Sequence, residues 1–163
     1  MTKYIPHQAP ATAEGQFFYV SKAIDGDTLR LSNGENVRLI GIDTPESRYN
    51  SKLARDSQRS RKDMDTILKM GRSASAFTKS LVEGKRVKLL FDVQKHDKYG
   101  RLLAYVYLED GTFVNGKIVE EGYAQVMTIA PNVKYSQTFL KLEREARQKG
   151  NGLWKSAADK SLF

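Results

Sequence analysis

Residues 23–31, AIDGDTLRL, decide the fold. Asp25-Gly26 between apolar runs is among the strongest short-range signals for a β-hairpin. A turn needs only one acid and one glycine. Here a second acid, Asp27, follows at once, and Thr28 then opens an alternating strand. Neighbouring side chains in a strand point to opposite faces, so Asp27 shares a face with Leu29 and Leu31. The turn therefore sets negative charge at the end of an apolar row.

Working outward, residues 16–24 and 28–32 read as strands on either side of this turn. Ser32-Asn33-Gly34 is a second turn and residues 36–42 are a third strand. Two more strands are expected over 86–92 and 102–108, joined through DKYGR (97–101). Apolar spacing predicts helices over 73–83, 113–121 and 135–148, stopped by Gly84, Gly122 and Gly150. Leu153-Trp154 is expected to fold back as an anchor. Residues 45–72 are polar and basic and read as a loop or a partly helical excursion. Residues 1–15, rich in Pro, Ala and Thr, read as a flexible arm before a single domain over 16–163. The expected class is α+β, mainly β: a five-stranded barrel of the oligonucleotide-binding (OB) type with three helices.

Composition narrows the chemistry. The chain has 163 residues, a formal net charge of +8 and no cysteine. The charge points to a polyanionic partner, nucleic acid above all. Without cysteine there is no disulfide, zinc-thiolate site or thiol nucleophile. His7 and His96 are the only histidines, so any metal should be a hard cation held by oxygen. No apolar run is long enough to span a membrane, and no basic amphipathic helix suggests a membrane partner.

Residues 37–46, VRLIGIDTPE, carry the candidate chemistry. Val37, Leu39, Gly41 and Asp43 share one strand face. Antiparallel pairing through the 32–34 turn then brings Asp27 and Asp43 together at one end of the sheet. Two adjacent carboxylates repel unless a cation or a proton neutralises them. With carbonyls and water to complete the shell, calcium is the natural occupant, and Thr44 offers a further oxygen. Arg38 lies in a row with Ile40 and Ile42, where its charge demands an answer. With Arg101 it makes a two-sided clamp for a phosphate. Glu46, stiffened by Pro45, is left to orient or deprotonate a water. These parts match the needs of phosphodiester hydrolysis. Singly, each has a plainer reading as a turn, a loop start or a solvated strand end.

AIDGDTLRL, VRLIGIDTPE, SASAFTKSLV, DKYGRLLAYVYLEDG and NGLW together resemble the staphylococcal nuclease family, in register from about Tyr19 to Trp154. The resemblance implies a calcium-dependent nuclease on a five-stranded barrel with three helices. It would cut DNA and RNA, single strands preferred, to 3′-phosphate and 5′-hydroxyl ends. The family's metal-binding acids fall on Asp27 and Asp43, with the Thr44 carbonyl, and Asp25 is a supporting acid. Its phosphate-binding arginines fall on Arg38 and Arg101, and its general base on Glu46. Lys98 and Tyr99 match positions that contact a terminal phosphate. A monomer, secreted or held at the cell envelope, is expected.

Two departures stand out. Thr128 and Ala130 replace two family tyrosines that line the base pocket. Stacking on such a ring is worth about 1–3 kcal/mol per base. Tyr123 or Tyr135 is a candidate substitute. The 45–72 segment is longer and more basic than the family's loop. Its Arg48, Lys52, Arg55, Arg59, Arg61 and Lys62 either track a phosphate backbone or cover a solvated loop. The rival reading is a non-catalytic OB-fold module that binds nucleic acid. The presence together of Asp27, Arg38, Asp43, Glu46 and Arg101 favours the enzyme.

Overall fold

A computed structural model describes residues 16–60, 62–155 and 162–163. The arm expected over 1–15 lies outside them. Strand β1 (Phe18–Asp25) and β2 (Thr28–Leu31) form the hairpin, with Asp25 opposite Thr28. Gly26 is required there by close approach. A Cβ on it would lie 2.8 Å from the Thr44 side chain, and Thr78 Oγ1 donates to its carbonyl at 2.8 Å. Strand β3 (Asn36–Leu39) pairs antiparallel with β2. With β5 (Arg86–Leu90) and β6 (Leu102–Leu108), these strands close a barrel in the order β1-β2-β3-β6-β5. The β3–β6 pairing is parallel. Val20, Leu29, Leu31, Val37, Leu39, Val87, Ala104 and Val106 fill the interior.

The third strand is shorter than residues 36–42. It ends at Leu39, because Gly41 takes φ +85 and turns the chain out of the barrel. The Phe139 ring lies 2.2 Å from where a Gly41 Cβ would sit, so only glycine allows this exit. Strand β4 (Gly41–Asp43) then pairs antiparallel with β7 (Gln125–Met127) in a separate two-stranded ribbon. Face alternation therefore does not run through from Val37 to Asp43. Asp43 reaches the barrel edge on the ribbon.

The described residues hold four α-helices where three were expected. The addition is α1 (Ser51–Ser60), within the 45–72 segment, which is thus the partly helical one of its two expected forms. Asn50 Oδ1 accepts from the Leu53 amide at 2.8 Å, satisfying one free N–H of the first turn. Asp56 pairs with Lys52 and Arg59 at helical spacing. Helix α2 (Met64–Val82) starts well before residue 73, capped by Asp63, which accepts from Thr66. Helices α3 (Val114–Glu120) and α4 (Ser136–Lys149) stand as expected, and Gly150 ends α4 at φ +63.

Leu53 packs into a second apolar cluster with Ile67, Leu68, Ala146, Trp154, Leu162 and Phe163, apart from the barrel interior. Trp154, in a 3-10 turn (Gly152–Lys155), is buried there as the expected anchor. This cluster seats α1 beside the barrel rim.

Candidate active site

A groove of about 1280 Å³ opens between the barrel rim, α1 and the 97–101 turn. Asp25, Asp27, Arg38, Asp43, Glu46, Lys98, Tyr99 and Arg101 all line it. Thr44 is buried behind them.

Asp27 and Asp43 meet at one guanidinium nitrogen. Arg38 Nη2 lies 3.4 Å from Asp27 Oδ2 and 3.3 Å from Asp43 Oδ1. Arg38 Nη1 donates to the Leu39 and Ile42 carbonyls at 2.8 and 2.9 Å. The apolar row expected with Ile40 and Ile42 ends with β3 at Leu39, and each end of the Arg38 fork is answered by oxygen. Thr44 donates to Asp27 Oδ2 through its amide (3.0 Å) and its hydroxyl (3.1 Å), and Thr28 Oγ1 donates to Oδ1.

The two acids differ electrostatically. Burial pushes the Asp27 pKa up, but Arg38, the Thr44 amide and the Thr28 hydroxyl hold it below the ordinary carboxylate value. Burial and the neighbouring Asp27 push Asp43 up to about 6, against the pull of Lys52 and Arg38. Asp43 is thus the weaker acid of the two, chiefly because it is buried.

Glu46 is gripped from α1. Asn50 Nδ2 donates to Oε2 at 2.7 Å, and Lys52 Nζ lies 3.4 Å from Oε1. Helix α2 supports it from behind: a Cβ on Gly71 would lie 2.1 Å from the Glu46 carbonyl oxygen. Asp25 accepts from Ser47 Oγ at 2.8 Å, so it ties the same segment to the hairpin.

Across the groove, Asp97 organises the turn. Its Oδ1 accepts from the Tyr99 and Arg101 amides, and its Oδ2 accepts from Arg101 Nε at 2.7 Å. Tyr99 is 71% exposed, with the Arg101 and Lys98 charges over its ring. Arg101 pairs with Asp97 and leaves the acid pair to Arg38 and Lys52.

Of the basic residues in the 45–72 segment, Lys52, Arg55 and Arg59 line the groove. Arg48 is exposed outside the groove lining, and Arg61 lies outside the described residues. Lys52 does more than face solvent: its Nζ lies 3.4 Å from Asp43 Oδ2 and 3.1 Å from Asp56 Oδ2. Burial lowers its pKa, but Asp43, Asp56 and Glu46 outweigh this and raise it overall. Neither candidate replacement for the pocket tyrosines reaches the groove. Tyr123 stacks on Phe77 with ring centroids 4.5 Å apart, and Tyr135 is buried edge-on against Tyr105. Met127, Ile129 and Ala130 line that wall instead. Asn50 and Asp97 carry no role in the sequence-based expectations, and Lys52 enters them only as one of six basic residues of the 45–72 segment. The one available signal was the Asn-x-x cap before a Lys–Asp pair four apart.

The donors suit a hard dication. Asp27 and Asp43 supply carboxylate oxygens on either side of one guanidinium nitrogen. No group of three or more Asp, Glu, His or Cys converges among the described residues. The fit is therefore to an ion completed by neutral oxygens and water, such as calcium, and not to a carboxylate cage.

A closed barrel in this strand order, with acids and arginines gathered in a groove at its rim, is an OB-type fold. Residues 36–156 match the family model described as Staphylococcal nuclease homologue. The chain is 37% identical over 143 residues to the thermonuclease of Staphylococcus intermedius, covering 86% of this chain and 77% of that one. It is 33% identical over 147 residues to the thermonuclease of Staphylococcus hyicus, covering 88% and 79%. It is also 36% identical over 140 residues to the SPbeta prophage-derived endonuclease YokF of Bacillus subtilis (strain 168), covering 83% of this chain and 43% of that one. The chain belongs to the staphylococcal nuclease family, and its enzyme class is that of a nuclease.

Proposed function

We propose that this protein is a calcium-dependent nuclease that hydrolyses phosphodiester bonds of DNA and RNA, preferring single strands. Its products carry 3′-phosphate and 5′-hydroxyl ends, and it acts as a monomer. The observation that carries the reading is one guanidinium shared by Asp27 and Asp43, with Glu46 and Arg101 facing the same groove.

Asp27 and Asp43 hold the cation, with the Thr44 carbonyl as a further donor and Asp25 supporting the hairpin. Calcium, when bound, adds Lewis-acid stabilisation of charge on the phosphate. Arg38 and Arg101 approach the phosphate from two sides, each preset by its own partners. Guanidinium forks match phosphate oxygens in pairs. They stabilise most where charge grows in the transition state. Glu46 orients a water for attack on phosphorus and takes its proton. The bond to the 5′ oxygen breaks, that oxygen takes up a proton from water to become the 5′-hydroxyl, and the phosphate stays on the 3′ side. Lys98 and Tyr99 bind a terminal phosphate. The net charge of +8 draws the polyanion in.

Incubation with single-stranded DNA and with RNA, in calcium and then in chelator, tests this. Chelator-sensitive cleavage with 3′-phosphate ends is expected. Binding without cleavage in either condition identifies a non-catalytic module instead.

A further inference from the structure

We propose that Lys52 is a tethered cation that an incoming dication must displace, so that this one side chain sets the cation affinity of the site. The inference rests on reading the site as that of a cation-dependent nuclease.

Charge bookkeeping leads to it. Asp27 and Asp43 face two positive groups, Arg38 and Lys52, both within 3.4 Å of a carboxylate oxygen. Both cations stand where a dication would approach the acids, so an entering ion meets like charge there. One resident cation has to withdraw. Arg38 is bolted in place on β3, since Nη1 donates to two main-chain carbonyls. A planar fork so engaged cannot leave without orphaning both acceptors.

Lys52 has somewhere to go. Asp56, one turn along α1, lies 3.1 Å from the same Nζ. The Phe163 ring lies beneath the ammonium at 5.2 Å. A flexible stem ending in a point charge lets Lys52 give up Asp43 while keeping Asp56. Lys52 also lies 3.4 Å from Glu46 Oε1. Its withdrawal therefore frees one oxygen of the carboxylate assigned to water, so cation entry and release of Glu46 are one event.

The test is calorimetric titration of calcium chloride into the full chain without nucleic acid, for wild type, K52M and K52R. Removing a unit charge 3.4 Å from Asp43 Oδ2 is expected to tighten calcium binding at least about tenfold, even at a high effective dielectric. K52R keeps the charge and should stay within about threefold of wild type. The calcium-induced rise in Tm should be larger for K52M than for wild type. K52Q serves if K52M does not fold. Calcium affinity in K52M or K52Q equal to or weaker than wild type overturns the proposal. If the wild-type chain binds no calcium at all, the calcium-nuclease reading fails as well, which separates the two failures.

Discussion

Asn50 holds Glu46 with one hand and starts α1 with the other: Nδ2 donates to Glu46 Oε2 at 2.7 Å, and Oδ1 accepts from the Leu53 amide at 2.8 Å. Helix formation and the aim of the candidate base are thus joined in one side chain. Asn50→Ser keeps a capping oxygen and loses the amide nitrogen that reaches Glu46, which the shorter hydroxyl does not replace while it caps the helix. It is expected to fold with near-native stability while kcat falls about tenfold at unchanged KM, the signature of a lost transition-state contact. Asn50→Ala should lose in addition about 1 kcal/mol of stability. Glu46→Gln should lose roughly 10²–10⁴-fold in kcat. Steady-state kinetics beside chemical denaturation separate these effects.

Gly71 lets α2 pass against the Glu46 backbone with no side chain between them. Gly71→Ala places a methyl where the Glu46 carbonyl now sits. Overpacking of this kind costs about 1–3 kcal/mol, and the backbone that yields is the one carrying Glu46. The expected result is a fall in kcat larger than any change in calcium affinity. Equal losses in both, or native activity, would contradict this account of Gly71.

Asp43 makes stability depend on pH in a definite direction. Its folded pKa, about 6, lies above the ordinary 3.8. The folded state therefore binds the proton more tightly, and this contribution is complete below 3.8 and lost as pH rises through about 6. At pH 8 in chelator, ionised Asp43 burdens the fold by roughly 1–3 kcal/mol. Asp43→Asn removes that burden. It should be more stable than wild type at pH 8 without calcium, with the gap closing as pH falls through the window. In excess calcium the order should reverse, because the amide is a poorer ligand. Denaturant midpoints across pH, with and without calcium, check both signs.

The wall formed by Met127, Ile129 and Ala130 offers no ring for a base. Thr128 and Ala130 are exposed, so larger side chains meet solvent there. Thr128→Tyr with Ala130→Tyr should tighten single-stranded DNA binding by about 1–3 kcal/mol per stacked base and lower KM, with kcat unchanged. Fluorescence titration in chelator reads the binding directly.

What the sequence made legible follows from how local each feature is. The Asp25-Gly26 hairpin and its pairing to β3 are encoded within a few residues, and they place Asp27 and Arg38 correctly. The turn at Gly41 is not local. Residues 39–43 alternate well enough to read as one strand, and the reason for the break is Phe139, far along the chain. The sequence leaves residues 45–72 open between a loop and a partly helical excursion, because SKLARDSQRS buries Leu53 as its one apolar residue and no apolar stripe marks α1. Its support comes from Asn50, the Asp56 ion pairs and a cluster that includes Leu162 and Phe163. For the same reason Lys52 read as one charge among many. Only the tertiary seat of α1 turns it toward Asp43.

The exit at Gly41 has a consequence for the ion. Asp27 belongs to the barrel and Asp43 to the ribbon, so the gap between them is the gap between two sheets. Phe139, wedged where Gly41 has no side chain, packs against the start of the ribbon from a position on α4. Preference among ions of different radius is thereby adjustable from the interior, by thickening or thinning a wedge, while every coordinating group stays as it is.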